Sequence, residues 1–168
     1  MDFNKLVNKR YSHRGYLDKE VENEKISYII NCANLAPSCA NRQPWKIYVV
    51  KNPEIRAKLV KAYPREWFAE SPIIIVVTGM EGENWVRQDG ADYLMCDATI
   101  IADYFILAAS EMELGTCYIA AFDEGIVRDA LGLKSNEKPF FLTPLGYPKE
   151  GVTRERKRKQ INEIVEFI

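Results

Sequence analysis

The sequence predicts a layered α/β or α+β fold built on one covered sheet, and three features predict it. Strand-like and helix-like segments alternate along all 168 residues, with no internal repeat and no low-complexity linker. Ile73, Ile74, Ile75, Val76 and Val77 form a continuous branched run, the pattern of a strand covered on both faces. Residues 91–114 are the longest periodic segment. Their apolar positions, Leu94, Ala98, Ile101, Tyr104, Phe105, Ala108 and Met112 among them, run nearly all the way round, as in a helix that is the spine of a core or is buried by a partner. A chain of this length is read as one domain, residues 1–168, large enough to bury a core.

The elements follow in order. Residues 2–8 can form a short helix with Phe3, Leu6 and Val7 on one face. Gly15 then breaks the pattern, and residues 22–34 carry Ile26, Ile29, Ile30 and Ala33 at helical spacing. Pro37 and Pro44 stop a helix from running through residues 36–45. Residues 45–50 alternate and are rich in β-formers, whereas Asn52-Pro53 opens a helix with Asn as its N-cap and Ile55, Leu59 and Val60 as its buried stripe. A strand is expected over 71–78, and a polar loop over 81–89 that is the one lid the sequence offers. Residues 115–121 read as a strand, 123–131 as a helix capped by Asp123, and 138–146 as another strand. A basic run, residues 154–159, precedes the apolar Ile161, Ile164, Val165 and Ile168.

Composition narrows the functional classes. Hydrophobic residues make up 47% and charged residues 28%, an ordinary globular balance, and the net charge of −1 supplies no field toward nucleic acid or an anionic membrane. The start of the chain lacks the apolar core of a secretory signal, and no stretch approaches the roughly 20 apolar residues that span a bilayer. Cys32, Cys39, Cys96 and Cys117 form no Cys-x-x-Cys pair, so a cytoplasmic protein without zinc or a disulfide framework is expected. His13 is the sole histidine, and nothing around it supports a hydrolytic triad; no P-loop occurs either. A chain this poor in catalytic side chains suits a cofactor that carries its own redox chemistry.

Two stretches concentrate hydrogen-bonding groups. Arg10, Ser12 and Arg14 are spaced by two, so an extended segment points all three the same way, and two guanidiniums around a hydroxyl suit a phosphate. A solvated basic strand edge has the same pattern. Residues 36–45 pack Ser38, Cys39, Asn41, Arg42 and Gln43 between two prolines, a junction where a ligand can meet side chains and free backbone N–H groups. In residues 114–122, small side chains let a backbone approach a flat ligand. Asp97 and Asp103 interrupt the apolar helix and are read as paired structural carboxylates rather than as an acid or base.

These stretches, with Leu145-Gly146-Tyr147-Pro148, stand in the order and spacing of the nitroreductase-like FMN-dependent oxidoreductases, which the chain resembles over essentially its whole length. Lys9–Tyr16 resembles that family's basic Arg-x-Ser-x-basic opening, and Pro37-Ser38 through Asn41-Arg42-Gln43-Pro44-Trp45 resembles its Pro-Ser-x-x-Asn-x-Gln-Pro-Trp segment. The resemblance implies an α+β fold with a central mixed, mainly antiparallel sheet flanked by helices. It also implies a homodimer with FMN at its interface. By motif position, Arg10, Tyr11, Ser12 and Arg14 fall at the phosphate and flavin edge, and Pro37, Ser38, Cys39, Asn41 and Gln43 fall at flavin contacts, some across the dimer. Ala120 and Ala121 match backbone positions near the flavin, and Arg156 and Arg158 are taken as the basic pair that completes the phosphate site. The mechanism implied is ping-pong: NADH or NADPH reduces the flavin and leaves, and a nitroaromatic, quinone or similar acceptor follows.

Rival readings are an FMN-storing or FMN-sensing protein without efficient turnover, a reductive dehalogenase-type activity on the same scaffold, and a nucleic-acid module using residues 154–159. Near-zero net charge and the lack of interleaved aromatics weigh against the last. Cys39 is expected to be neither redox-active nor nucleophilic, because it follows a helix C-terminus, whose dipole raises a thiol pKa.

Overall fold

The computed structural model describes residues 2–152 and 155–168. Its central sheet has three strands in the order β1-β2-β3, with β1 Trp45–Val50, β2 Ile73–Met80 and β3 Glu137–Leu145, both pairings antiparallel. Pairing in β2 and β3 starts at Ile73 opposite Leu145 and slips at a bulge between Val77 and Thr78. The branched run is central, as its composition predicts. Ile73, Ile75 and Val77 face one apolar cluster while Ile74 and Val76 face another, the two-residue period of a strand.

The first cluster joins that face of β2 to α2 (Asn23–Ala33) and α5 (Leu94–Glu111) through Ile26, Ile29, Ala98, Ile101 and Phe105. The second joins the opposite face to α3 (Pro53–Ala62), α4 (Glu66–Ala69) and α6 (Glu124–Leu131) through Leu59, Phe68 and Val127. Each fully buried Ile or Leu side chain contributes about 1.5–3 kcal/mol. Helix starts are set by the short-range signals that the sequence carries. Asn52 accepts from the N–H groups of Glu54 and Ile55, with Pro53 in the first turn, and Asp123 accepts from Ile126. Asp2 caps α1 (Phe3–Lys9) in the same way.

Two expectations change. Residues 115–121 are not a strand: they make single bridges, Gly115 with Gly146, Thr116 with Ser12 and Ile119 with Leu142, and no continuous ladder. Each residue of this stretch meets a different neighbour, and among the described residues the Ser12–Thr116 bridge is the parallel one, beside the antiparallel sheet. Helix α5 starts later than residue 91, since Asp92 bridges to Val86 in a small hairpin, and the chain leaves the helix through Glu113 at φ +65°. Past a short 3-10 turn at Ile161–Glu163, Ile161, Ile164, Val165, Phe167 and Ile168 are all exposed. Among the described residues, no helix is long and apolar enough to cross a membrane.

Candidate cofactor site

A basic cleft forms where α1 ends. The N–H of Arg10 closes the helix on Leu6 O, and the chain then runs extended beside residues 115–117, with His13 N–H donating to Thr116 O at 2.9 Å. Gly115 allows a close approach, since a Cβ on it would sit 3.1 Å from the His13 side chain. The cleft encloses about 270 Å³ and is lined by Arg10, Tyr11, Ser12 and Arg14 from this segment and by Glu155, Arg156, Lys157 and Arg158 from the C-terminal one. The sequence-predicted Arg10, Tyr11, Ser12, Arg14, Arg156 and Arg158 are therefore brought together, although they lie at opposite ends of the chain. Arg154, part of the basic run, lies outside the described residues.

The arginines differ in what they already hold. Arg156 donates to the carbonyls of Val7 at 3.3 Å, of Asn8 at 2.9 Å and of Arg10, so it caps the C-terminal end of α1, where a cation also meets the helix dipole favourably. Arg158 donates to Lys157 O at 2.8 Å, and half-buried Arg14 donates to Ser12 O at 3.2 Å. Burial, followed by the charge of Arg10, lowers the pKa of His13, so its ring is held neutral near pH 7. Asp103, on α5, is raised by burial, with the Arg10 charge opposing. It stands near Arg10 and is not part of a salt bridge among the described residues.

Arg14 also lines a second, larger cavity of about 700 Å³, walled by Tyr63, Pro64, Arg65, Glu66 and Trp67. Tyr63 and Trp67 meet edge to face at 5.8 Å, and the Arg65 guanidinium lies 5.8 Å over the Tyr63 ring. Sequence reasoning missed this wall. Its signal was two aromatics and an arginine clustered around Pro64, directly after a helical stripe ends.

The 36–45 connection is a tight polar turn. Gln43 N–H donates to Ser38 Oγ at 2.9 Å, Asn41 N–H to Ser38 O at 3.0 Å, and the Gln43 amide to Asn41 O and Oδ1 at 3.1 and 3.2 Å. Ala40, Asn41 and Gln43 all have positive φ, at 51°, 53° and 52°. Such left-handed non-glycine residues cost on the order of 1–3 kcal/mol each and persist only where surroundings impose them. Two contacts do so: Cys39 N–H donates to Asp97 Oδ1 at 2.8 Å, and Arg42 donates to Asn84 O at 3.0 Å. Asn41, Gln43 and Pro37 are exposed, and Ser38 and Cys39 are half-buried. The Cys39 thiol is pushed up by burial, then by its hydrogen bond with Asp97. It is thus a poor nucleophile at neutral pH.

None of these turn residues lines either cavity. Within one chain the structure does not bring Pro37, Ser38, Cys39, Asn41 and Gln43 to the arginines. Ala120 and Ala121 lie just past the Ile119–Leu142 bridge, exposed, and among the described residues nothing accepts from their main-chain N–H groups. Asp97, read from sequence as a paired carboxylate, is fully buried and bonded to a backbone N–H rather than to a cation.

Comparison with known proteins bears on the family and the fold. A nitroreductase family protein of Clostridium difficile 630 superposes with a TM-score of 0.91 at 32% identity, covering 99% of this chain and 98% of its own. A Methanothermobacter thermautotrophicus protein, provisionally named NADH dehydrogenase/NAD(P)H nitroreductase, is 29% identical over 89% of this chain and 79% of its own length. Human iodotyrosine deiodinase 1 is 27% identical over 98% of this chain and 68% of its own. The Nitroreductase family profile matches residues 7–67 and 61–147, most of the chain, and with the shared fold this makes the chain a member of the nitroreductase family.

Proposed function

We propose that this chain is an FMN-dependent oxidoreductase that takes hydride from NADH or NADPH and passes it to an electron-poor acceptor such as a nitroaromatic or a quinone. The observation that carries the reading is the cleft lined by Arg10, Ser12, Arg14 and Arg158, whose guanidiniums and hydroxyl suit a terminal phosphate in charge and donor type. Arg14 lines both this cleft and the larger aromatic cavity of Tyr63, Arg65 and Trp67, so a group held in the cleft would have that cavity on the other side of one shared side chain. No Gly-x-Gly-x-x-Gly is present to hold a pyrophosphate, which favours FMN over FAD.

FMN, when bound, supplies the redox chemistry. The protein's part is to bind, orient and polarise. Arg10, Ser12 and Arg158 hold the phosphate, with Tyr11 in the same wall. Arg156 keeps α1 closed so that Arg10 and Ser12 stay aligned. Arg14, on the wall shared by the two cavities, would supply a permanent positive charge to a bound flavin. The N–H groups of Ala120 and Ala121 are donors free to meet a flat ligand.

A homodimer belongs to the same reading. Pro37, Ser38, Cys39, Asn41 and Gln43 complete the site only if a second copy brings its turn to this cleft. Exposed apolar residues also need a cover: Tyr104 and Met95 on α5, Leu35, and the tail from Ile161 to Ile168. Interfaces of permanent dimers bury on the order of 2,000 Å² or more. A cytoplasmic location fits a reductant drawn from the nicotinamide pool. Flavin released from purified protein and identified by chromatography tests the proposal: FMN supports it, whereas FAD, or no flavin after reconstitution, refutes it.

Reductive dehalogenation is the second reading, favoured by the similarity to iodotyrosine deiodinase 1. Iodide release from iodotyrosine by the reduced protein would support it over nitroarene or quinone reduction.

A further inference from the structure

Helix α5 buries one carboxylate that the cofactor reading does not use. Asp97 is 0% exposed, in the first turn of the helix, where the dipole favours a negative charge. Its Oδ1 accepts the Cys39 N–H at 2.8 Å, and among the described residues no donor reaches Oδ2. A buried carboxylate oxygen left without a partner is uncommon and calls for an explanation. The bonded oxygen, Oδ1, holds the start of a strained turn. Cys39 opens the turn in which Ala40, Asn41 and Gln43 all adopt left-handed conformations. Other bonds of that turn run within it, among them Gln43 N–H to Ser38 Oγ and Asn41 N–H to Ser38 O, while Arg42 donates to Asn84 O and the N–H of Trp45, at the start of β1, donates to Gln43 O. The Trp45 bond holds the end of the turn to β1, and the Asp97 bond holds its start to helix α5. The Cys39 thiol, kept protonated by its surroundings, is a donor beside the same carboxylate.

We propose that Asp97 is a positioning residue for the flavin: through the Cys39 N–H it locks the Ser38–Gln43 turn into the shape that presents Ser38, Asn41 and Gln43 to the cofactor. The proposal rests on the reading of this turn as a flavin contact. Asp97 does not itself touch the cofactor. It acts by prepaying the turn's strain in the empty protein, so that binding need not order the turn.

The test compares the full-length wild type with Asp97→Ala and Asp97→Asn in FMN titrations followed by flavin fluorescence, with melting curves on the same samples. Asparagine keeps an oxygen for the Cys39 N–H, and alanine does not. Asp97→Ala is expected to weaken FMN binding at least tenfold, and Asp97→Asn to recover most of that affinity. Hydrogen exchange of the Cys39 amide in the flavin-free proteins gives a second readout: slow in the wild type and in Asp97→Asn, fast in Asp97→Ala. If Asp97→Ala melts at a lower temperature but binds FMN as tightly as the wild type, Asp97 is only a core residue and the proposal is overturned. Should Asp97→Ala fail to fold, Asp97→Asn decides alone: slow exchange with near-native affinity supports the role, and fast exchange with unchanged affinity overturns it. A wild type that binds no FMN would refute the cofactor reading itself, a result distinct from equal affinity in wild type and variant.

Discussion

Arg14→Ala probes the point where the two cavities meet. Among the described residues, Arg14 makes one hydrogen bond, to Ser12 O at 3.2 Å, and is half-buried. Losing a bond of this kind costs about 0.5–1.5 kcal/mol. For a chain of this size that lowers the melting temperature by ~1–6 °C. The effect on the cofactor is larger. A charge-assisted contact is worth about 1.5–3 kcal/mol, which is roughly a tenfold to hundredfold loss of affinity. Arg14→Ala should therefore weaken FMN binding far more than it weakens folding. Flavin fluorescence titration of the apo-variant, beside a thermal melt, measures both quantities. A solvated surface arginine would change neither by much. An FMN affinity within twofold of wild type would refute the assignment of Arg14 to the site.

The remaining predictions separate roles that share the cleft or the core. Arg158→Ala should weaken FMN with little change in melting temperature, whereas Arg156→Ala should lower both, because its guanidinium caps α1; equal melting temperatures would count against the cap. Gly79→Ala should destabilise by about 1–3 kcal/mol, since a Cβ there would lie 2.6 Å from Phe140 and 2.8 Å from Leu94; denaturant unfolding measures it, and a neutral result would mean that these side chains yield freely. Burial and Arg10 lower His13 from its usual 6.5, so its contribution to stability is present above pH 6.5 and is lost as pH falls through the folded value. The difference in unfolding free energy between wild type and His13→Asn should shrink over that acidic window, and a constant difference would refute the shift. Cys39→Ser should keep FMN and most turnover, and iodoacetamide should modify exposed Cys96 before Cys39; a thousandfold loss of turnover with flavin still bound would make the thiol essential.

What the sequence made legible was local. Asn52 and Asp123 cap the groups two or three residues ahead of them, so these helix starts are written in adjacent positions. The branched run from Ile73 to Val77 predicts a doubly covered strand because both faces must be apolar. Residues 115–121 misled for a related reason: their composition suits a strand, but pairing is a property of neighbours, and each residue finds a different one. At the site, the spacing of Arg10, Ser12 and Arg14 was readable, whereas the wall at Tyr63, Arg65 and Trp67 left only a cluster of aromatics and an arginine around Pro64, with no spacing that ties it to Arg14. The partner of Asp97 lies 58 residues away at Cys39, and the carbonyls held by Arg156 lie 146 to 149 residues away. Long-range contacts of this kind carry no local signature, which is why Asp97 looked like half of an ion pair and Arg156 like a pure phosphate ligand.

The measurement that tests the central claim most directly is anaerobic addition of NADH, and separately NADPH, to the FMN-reconstituted protein, with the oxidised flavin's visible band recorded. At least one nucleotide should bleach the band in equimolar amount, and a quinone or nitroarene should restore it. A band that neither nucleotide changes, but that dithionite bleaches, would show a flavin carrier without hydride transfer and contradict the account.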